Sequence, residues 1–327
     1  MADHRQRAPS GPTGRGRRCH RRRHRSASVG HASREHRVQL CLNRVTLPPD
    51  TPVSEFLRAA HAAGFGCVEL SARRLAEAWE TDTTVRDLLG PAGLVPIHGG
   101  WSIRSHWDEA RFTAALPTVA AEMRLSAQLG GRSGALILPR TGITAAVVPP
   151  RNVLITRIRQ VCDQAADYGL NVVLEFIGLR PAAPPATGEA RTLGEALALV
   201  ADVARPNAGV LIDTFHWHAS GGTVEGLAAV PDGMPVVIHL NDAPPVPRAA
   251  LDDDMRLLPG HGVIDLDGLV RALQRRRYAG PMSVELKSPD LHALSPRQAA
   301  GQAFTAAAGL LRRAGVDPRI PPPAERP

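Results

Sequence analysis

The chain has 327 residues, 43% of them hydrophobic, enough for one large core and for a single α/β barrel of about 250 residues with extensions. It has no uninterrupted apolar run of the roughly 18 residues a membrane-spanning helix needs. The charged N-terminus is not followed by an apolar segment, so a secretory signal is not expected.

The formal charge of +8 comes from one end. Residues 1–36 hold ten arginines against Asp3 and Glu35, so that segment alone carries +8 and residues 37–327 balance to zero. A run such as RGRRCHRRRHR could meet an anionic surface. It has no apolar pattern to fold on and no aromatics to stack bases. The expectation is a disordered basic tail over 1–36, or a start assigned too far upstream. Lys287 is the single lysine among the 39 Lys and Arg residues, a bias of GC-rich coding in which translated non-coding sequence also becomes arginine-rich. Residues 316–327 read as a proline-rich C-terminal tail. Cys19, Cys41, Cys67 and Cys162 include no CxxC pair, so they read as reduced cytoplasmic thiols, with no disulfide framework.

The predicted elements alternate. Val38 to Asn43 reads as a strand, and Thr51 as the cap of a helix over Val53 to Ala63 that ends at Gly64. Cys67 to Leu70 is a second strand carrying Glu69, and a single helix is predicted from Arg73 to Leu89. LVPIH is a third strand, ending at His98, and GGWSIR after it reads as a turn. A long helix follows from Asp108 to Leu129, then a strand from Gly134 to Leu138. A helix from Val153 to Tyr168 stops at Gly169. Asn171 to Glu175 is the fifth strand. A Pro/Ala-rich loop reaches Arg191, and Thr192 caps a helix to Val203. Gly209 to Asp213 and Val236 to His239 are strands six and seven. A helix from Asp265 to Arg277, a strand from Met282 to Glu285 and a helix from Ser295 to Ala314 close the series.

Eight such units predict parallel βαβ connections closing as a (β/α)8 TIM barrel over 37–315. No GxGxxG follows the first strand and no GxxxxGK[ST] occurs, so neither a dinucleotide site nor a P-loop is supported.

In such a barrel the C-terminal strand ends face the active site. Glu175, Asp213, His239 and Glu285 end strands five to eight and would ring half of the mouth. Three carboxylates and an imidazole suit one divalent metal ion, Mn2+, Mg2+, Co2+ or Zn2+. A lone acid at a strand end is more often a cap or a surface ion pair; four in register favour a metal.

The phrases LEFIG, GVLIDTFHWHASGGTVEGL, HLND, DDDMRLLPGHGVIDLDGLV and MSVELKSP carry a resemblance. Over residues 38–315 the chain resembles the xylose isomerase-like barrel superfamily of sugar isomerases and epimerases and, within it, the inosose isomerases. The resemblance implies metal ligation by Glu175, Asp213, His239 and Glu285. It implies substrate contacts from His216 and Arg256, and proton transfer by the pair Glu175 and Glu285, acting on carbons beside a ketone of a cyclic polyol or ketose. His218 and Asp242 also match, His218 as a support for the site or a loop cap, Asp242 as an orienting group or a turn residue. His261 stands where relatives carry Gln or Glu and is assigned nothing. Glu69 and His98 either meet hydroxyls or bond within the core.

A ketose 3-epimerase or a dehydratase on the same barrel is the alternative. An AP endonuclease of the endonuclease IV type is remote. Its trinuclear zinc site needs further histidines, and the neutral body lacks charge for phosphates. A barrel that binds without catalysis is disfavoured by the intact ligand set. The expected partner is a small-molecule polyol or ketose, with no nucleic acid and no membrane; a homodimer is allowed.

Overall fold

The computed structural model describes residues 38–90, 93–98, 100–142, 148–179 and 189–318, with His98 described by its backbone alone. The expected basic tail over 1–36, residues 319–327 of the proline-rich tail, Gly99 of GGWSIR and residues 180–188 of the Pro/Ala-rich loop lie outside them.

All eight predicted strands form: β1 (Gln39–Asn43), β2 (Cys67–Leu70), β3 (Val95–His98), β4 (Ser133–Ile137), β5 (Asn171–Glu175), β6 (Ala208–Asp213), β7 (Val236–Leu240) and β8 (Pro281–Val284). Each pairs in parallel with the next, and β8 pairs with β1, closing the barrel in sequence order.

Strand side chains alternate between faces, and that period builds the site. Cys41, Cys67, Ile97, Ala135, Val173, Leu211 and Val237 form one apolar cluster, separate from the main core. Two residues further along five of the same strands stand Asn43, Glu69, Glu175, Asp213 and His239, and Glu285 joins them two residues beyond Ser283 of β8. The barrel interior is thus an apolar plug with a polar layer directly above it.

Among the described residues ten helices share one core cluster with strand residues: α1 (Val53–Ala63), α2 (Ala72–Thr81), α3 (Thr83–Leu88), α4 (Glu109–Gln128), α5 (Arg151–Ala166), α6 (Leu193–Val203), α7 (Thr214–Ala219), α8 (Leu266–Arg275), α9 (Pro289–His292) and α10 (Pro296–Arg313). Capping sets several of these boundaries. Thr192 with Glu195, and Ser295 with Gln298, form reciprocal capping boxes at α6 and α10. Gly64 ends α1 at φ 99°, where an added Cβ would stand 3.2 Å from the Phe304 ring.

Four expectations are corrected. The helix expected over Arg73 to Leu89 is two helices, because Asp82 is extended and its carboxylate caps α3 through Thr84 N. Thr51 does not cap α1; Pro52 holds that position without a side-chain bond, and the Thr51 hydroxyl bonds Pro48 O instead. His239 is the penultimate residue of β7, and Glu285 lies one residue past β8. The stretch after β3 is more than a turn. Trp101 and Ile103 are fully buried, Ser102 N donates to Glu122 at 2.9 Å, and a Cβ on Gly134 would fall 2.1 Å from the Trp101 ring.

Candidate metal centre

β5 to β8 deliver Glu175, Asp213, His239 and Glu285 to one place. One ligand atom from each lies within 4.8 Å of every other. His239 Nδ1 lies 3.1 Å from Glu285 Oε2, 3.6 Å from Glu175 Oε1 and 3.8 Å from Asp213 Oδ2. The register explains the closeness, since Asp213 is directly opposite His239 on adjacent strands.

Asp213 ends β6 and begins α7. Its Oδ1 accepts from Phe215 N at 2.8 Å and His216 N at 2.9 Å, capping the helix. Its Oδ2 accepts from Asn241 Nδ2 at 3.0 Å and from Arg256 at 2.6 Å. The sequence reading contained no such helix. A short, aromatic- and histidine-rich segment has little helix propensity, and Asp213 serves as strand end and helix cap at once.

Arg256 and His216 come together at the same place. The Arg256 guanidinium donates to Asp213 Oδ2 and, at 2.7 Å, to Glu285 Oε2. It lies 3.3 Å from His216 Nε2 and is tied from behind by Asp253 at 2.6 Å. Asp242 sets the loop that carries Arg256. Its carboxylate accepts the backbone N–H groups of Ala243, Gly260, Gly262 and Ile264, and its own backbone pairs with Leu257. Asp242 is therefore a loop organiser, a role whose only sequence signal was the glycine pair at 260 and 262. His218 is half-buried on α7 and interacts with Arg248 and Asp242, and His261 is exposed. Glu69 faces inward and bonds His239, which resolves its expected role toward the polar layer of the barrel.

Burial and neighbouring charge act against each other here. Burial raises Glu175 to about 7, with the charges of Glu285 and Asp213 adding to it and His239 opposing. Burial would raise Glu285 too, but the charges of His239 and Arg256 hold it well below the usual carboxylate range. Burial would lower His239; Glu69 and Glu285 outweigh it and raise it well above normal. His216 is lowered, chiefly by burial.

The donor set fits a divalent cation. Clustered buried carboxylates are costly unless positive charge compensates them. One divalent ion with Arg256 balances the three charges of Glu175, Asp213 and Glu285, leaving His239 neutral as a ligand.

Beside Glu285 opens a cavity of about 470 Å3, lined by Asn43, Arg44, Leu70, Arg74, Lys287 and His292 among others. A second cavity, about 440 Å3, lies at the opposite mouth of the barrel by Gln39, Ser133 and Asn171. Barrel enzymes work at the C-terminal mouth, so the first is the candidate substrate cavity.

The fold and the site together define a (β/α)8 barrel with a carboxylate–histidine centre at its C-terminal mouth. The profile of the family described as xylose isomerase-like TIM barrel matches residues 57–313, and the chain belongs to that family. It is 33% identical over 165 residues to an inosose isomerase of Halalkalibacterium halodurans, covering 48% of this chain and 56% of that one. It is 26% identical over 263 residues to a 3-dehydroshikimate dehydratase of Pseudomonas aeruginosa, covering 80% of this chain and 40% of that one. The chain thus spans about half the length of the curated relatives it matches. A xylose isomerase domain protein of Alicyclobacillus acidocaldarius superposes with a TM-score of 0.72 at 27% identity, covering 85% of this chain and 99% of that one.

Proposed function

We propose that the protein is a divalent-metal-dependent isomerase or epimerase that moves a proton on a carbon beside the ketone of a cyclic polyol or ketose, an inosose foremost. The observation that carries this reading is the convergence of Glu175, Asp213, His239 and Glu285 within 4.8 Å, beside a cavity of about 470 Å3, a size suited to a small ligand. The likeness to the Halalkalibacterium enzyme supports the choice of substrate.

A divalent ion held by these four residues would act as a Lewis acid, acidifying the proton α to a substrate carbonyl. The remaining work falls to the chain. Glu175 is the proton acceptor: without metal, burial raises it to about 7; a bound cation would lower it, and its reach to a substrate proton acidified by the same cation would offset that loss of basicity. Glu175, once protonated, delivers that proton to the neighbouring carbon, and Glu285, held deprotonated beside Arg256, takes up the hydroxyl proton of the enediol and passes it to the former carbonyl oxygen. His216 and Arg256 orient hydroxyl oxygens and donate to the oxygen on which negative charge develops. The buried walls around the cluster exclude water and strengthen these contacts.

The test is solvent-deuterium incorporation by a panel of inososes and ketoses with Mn2+. Exchange of the α-proton is expected with at least one inosose, and no exchange with any of them would sink the reading. Glu285→Gln should lower kcat/KM by at least about 100-fold and weaken Mn2+ binding with an unchanged circular dichroism spectrum. An unimpaired variant would remove Glu285 from the mechanism.

A dehydratase is the second reading, favoured by the match to the Pseudomonas enzyme across 80% of this chain. It begins with the same proton abstraction but then expels a hydroxyl. A conjugated enone absorbing in the ultraviolet would separate it from isomerisation.

A further inference from the structure

We infer that Glu69 is a positioning residue for the metal centre. Its carboxyl fixes the His239 ring through Nε2, so that Nδ1 is the nitrogen offered to the cation. The inference rests on the metal-centre reading above.

The geometry is direct. His239 Nε2 stands 2.9 Å from Glu69 Oε1, on the side of the ring away from the ligand cluster. Nδ1 stands within 3.8 Å of an oxygen of each of the three clustered carboxylates. A neutral imidazole has one N–H and one lone pair, and the hydrogen bond made by one nitrogen decides what the other presents. An acceptor at Nε2 keeps the proton there and leaves the Nδ1 lone pair for a metal. The same arrangement orients and strengthens histidine ligands at metal sites generally.

Two further observations assign the residue to this task. Glu69 and His239 are 1% and 2% exposed, so water has no access to substitute for the bond. Among the described residues Glu69 Oε2 is buried with no hydrogen-bond partner, which commits the carboxyl to His239 through one oxygen. Burying a carboxyl for a single bond is a poor way to stabilise a core; an apolar side chain of similar volume packs there at lower cost. Stability alone does not account for Glu69, and orientation of the ring does. The residue sits on β2, outside the run of four strands that supplies the ligands.

The test is Zn2+ affinity, measured by competition with a chelator and without substrate, for wild type, Glu69→Gln and Glu69→Leu. Both variants should bind Zn2+ about 10- to 100-fold more weakly than wild type, while the thermal midpoint of the metal-free Glu69→Leu protein is maintained or raised. Affinities within twofold of wild type in folded variants overturn the inference. A wild type that binds no Zn2+ overturns both the inference and the metal centre on which it rests, and the two failures are distinguishable. Nitrogen-15 NMR of the zinc-loaded wild type tests it without any variant, with the His239 resonances assigned by their loss in His239→Gln. The expected spectrum has the His239 proton on Nε2; a proton on Nδ1 with zinc on Nε2 overturns the inference.

Discussion

Asp253 shows how single residues hold the site's positive charge in place. Its carboxylate takes Arg256 on one side and Lys287 on the other. Burial would raise its pKa, but these two cations outweigh burial and depress it to about 2. A depressed folded-state pKa contributes stability that is present above the unfolded value near 4 and is lost as pH falls through about 2. Asp253→Asn should therefore lower stability at pH 7 by about 1 to 3 kcal/mol. The gap to wild type should narrow as pH drops from 4 toward 2, as measured by urea unfolding at each pH. A gap that stays constant across that range would show that the ion pairs contribute nothing. The residues that act through partners distant in sequence are also those that sequence reading left open. Glu69 meets His239 170 positions away, and Asp242 reaches backbone groups 18 to 22 residues on. Neither separation leaves a local pattern. Glu175, Asp213, His239 and Glu285 were legible because each follows an apolar strand run, and the barrel rule places such residues at the mouth.

At the scale of elements, the strand order was readable because alternating strand and helix runs of these lengths leave few parallel topologies. Element ends were less so. The break at Asp82 needed a cap to be recognised inside an apparently continuous helical pattern, and α7 needed Asp213 to serve as strand end and N-cap at once. How elements press together was not legible at all. Gly178, in the loop after β5, is a case: a Cβ there would lie 1.9 Å from the carbonyl oxygen of His216 in α7. That neighbour is backbone and cannot swing aside, so the loop and α7 can touch only through a glycine. Gly178→Ala should force α7 away from β5, costing about 1 to 3 kcal/mol as overpacking does and displacing His216. On the proposed function, the expected kinetic result is a raised KM for the polyol ketone, with affinity for the divalent ion changed less, since Asp213 is anchored by β6 as well. Unchanged stability together with unchanged KM would show that the contact relaxes freely.

The whole molecule couples the centre to the closure of the barrel. The cluster draws its side chains from β5, β6 and β7 and from Glu285, one residue past β8, while Glu69 adds β2 and Asn43, bonded to Glu285 Oε1 at 3.2 Å, adds β1. A cation bound there would draw on side chains from β1, β2, β5, β6 and β7 and from just past β8, an arrangement the unfolded chain does not present. Binding of the native state alone stabilises it by about 2.7 kcal/mol when the free ion is 100 times its Kd. For a domain of this size each kcal/mol moves the midpoint by about 2 to 4 °C, so saturating Mn2+ or Zn2+ should raise Tm by roughly 5 to 10 °C. A strong chelator should reverse the rise. Residues 37–327 carry no net charge of their own, and within the barrel Arg256 offsets part of the cluster's negative charge. The same rise is therefore expected in full-length protein and in a chain starting at residue 37, measured by calorimetry with and without metal. A rise that disappears on removing residues 1–36 would assign the metal response to the arginine- and histidine-bearing segment and not to the barrel.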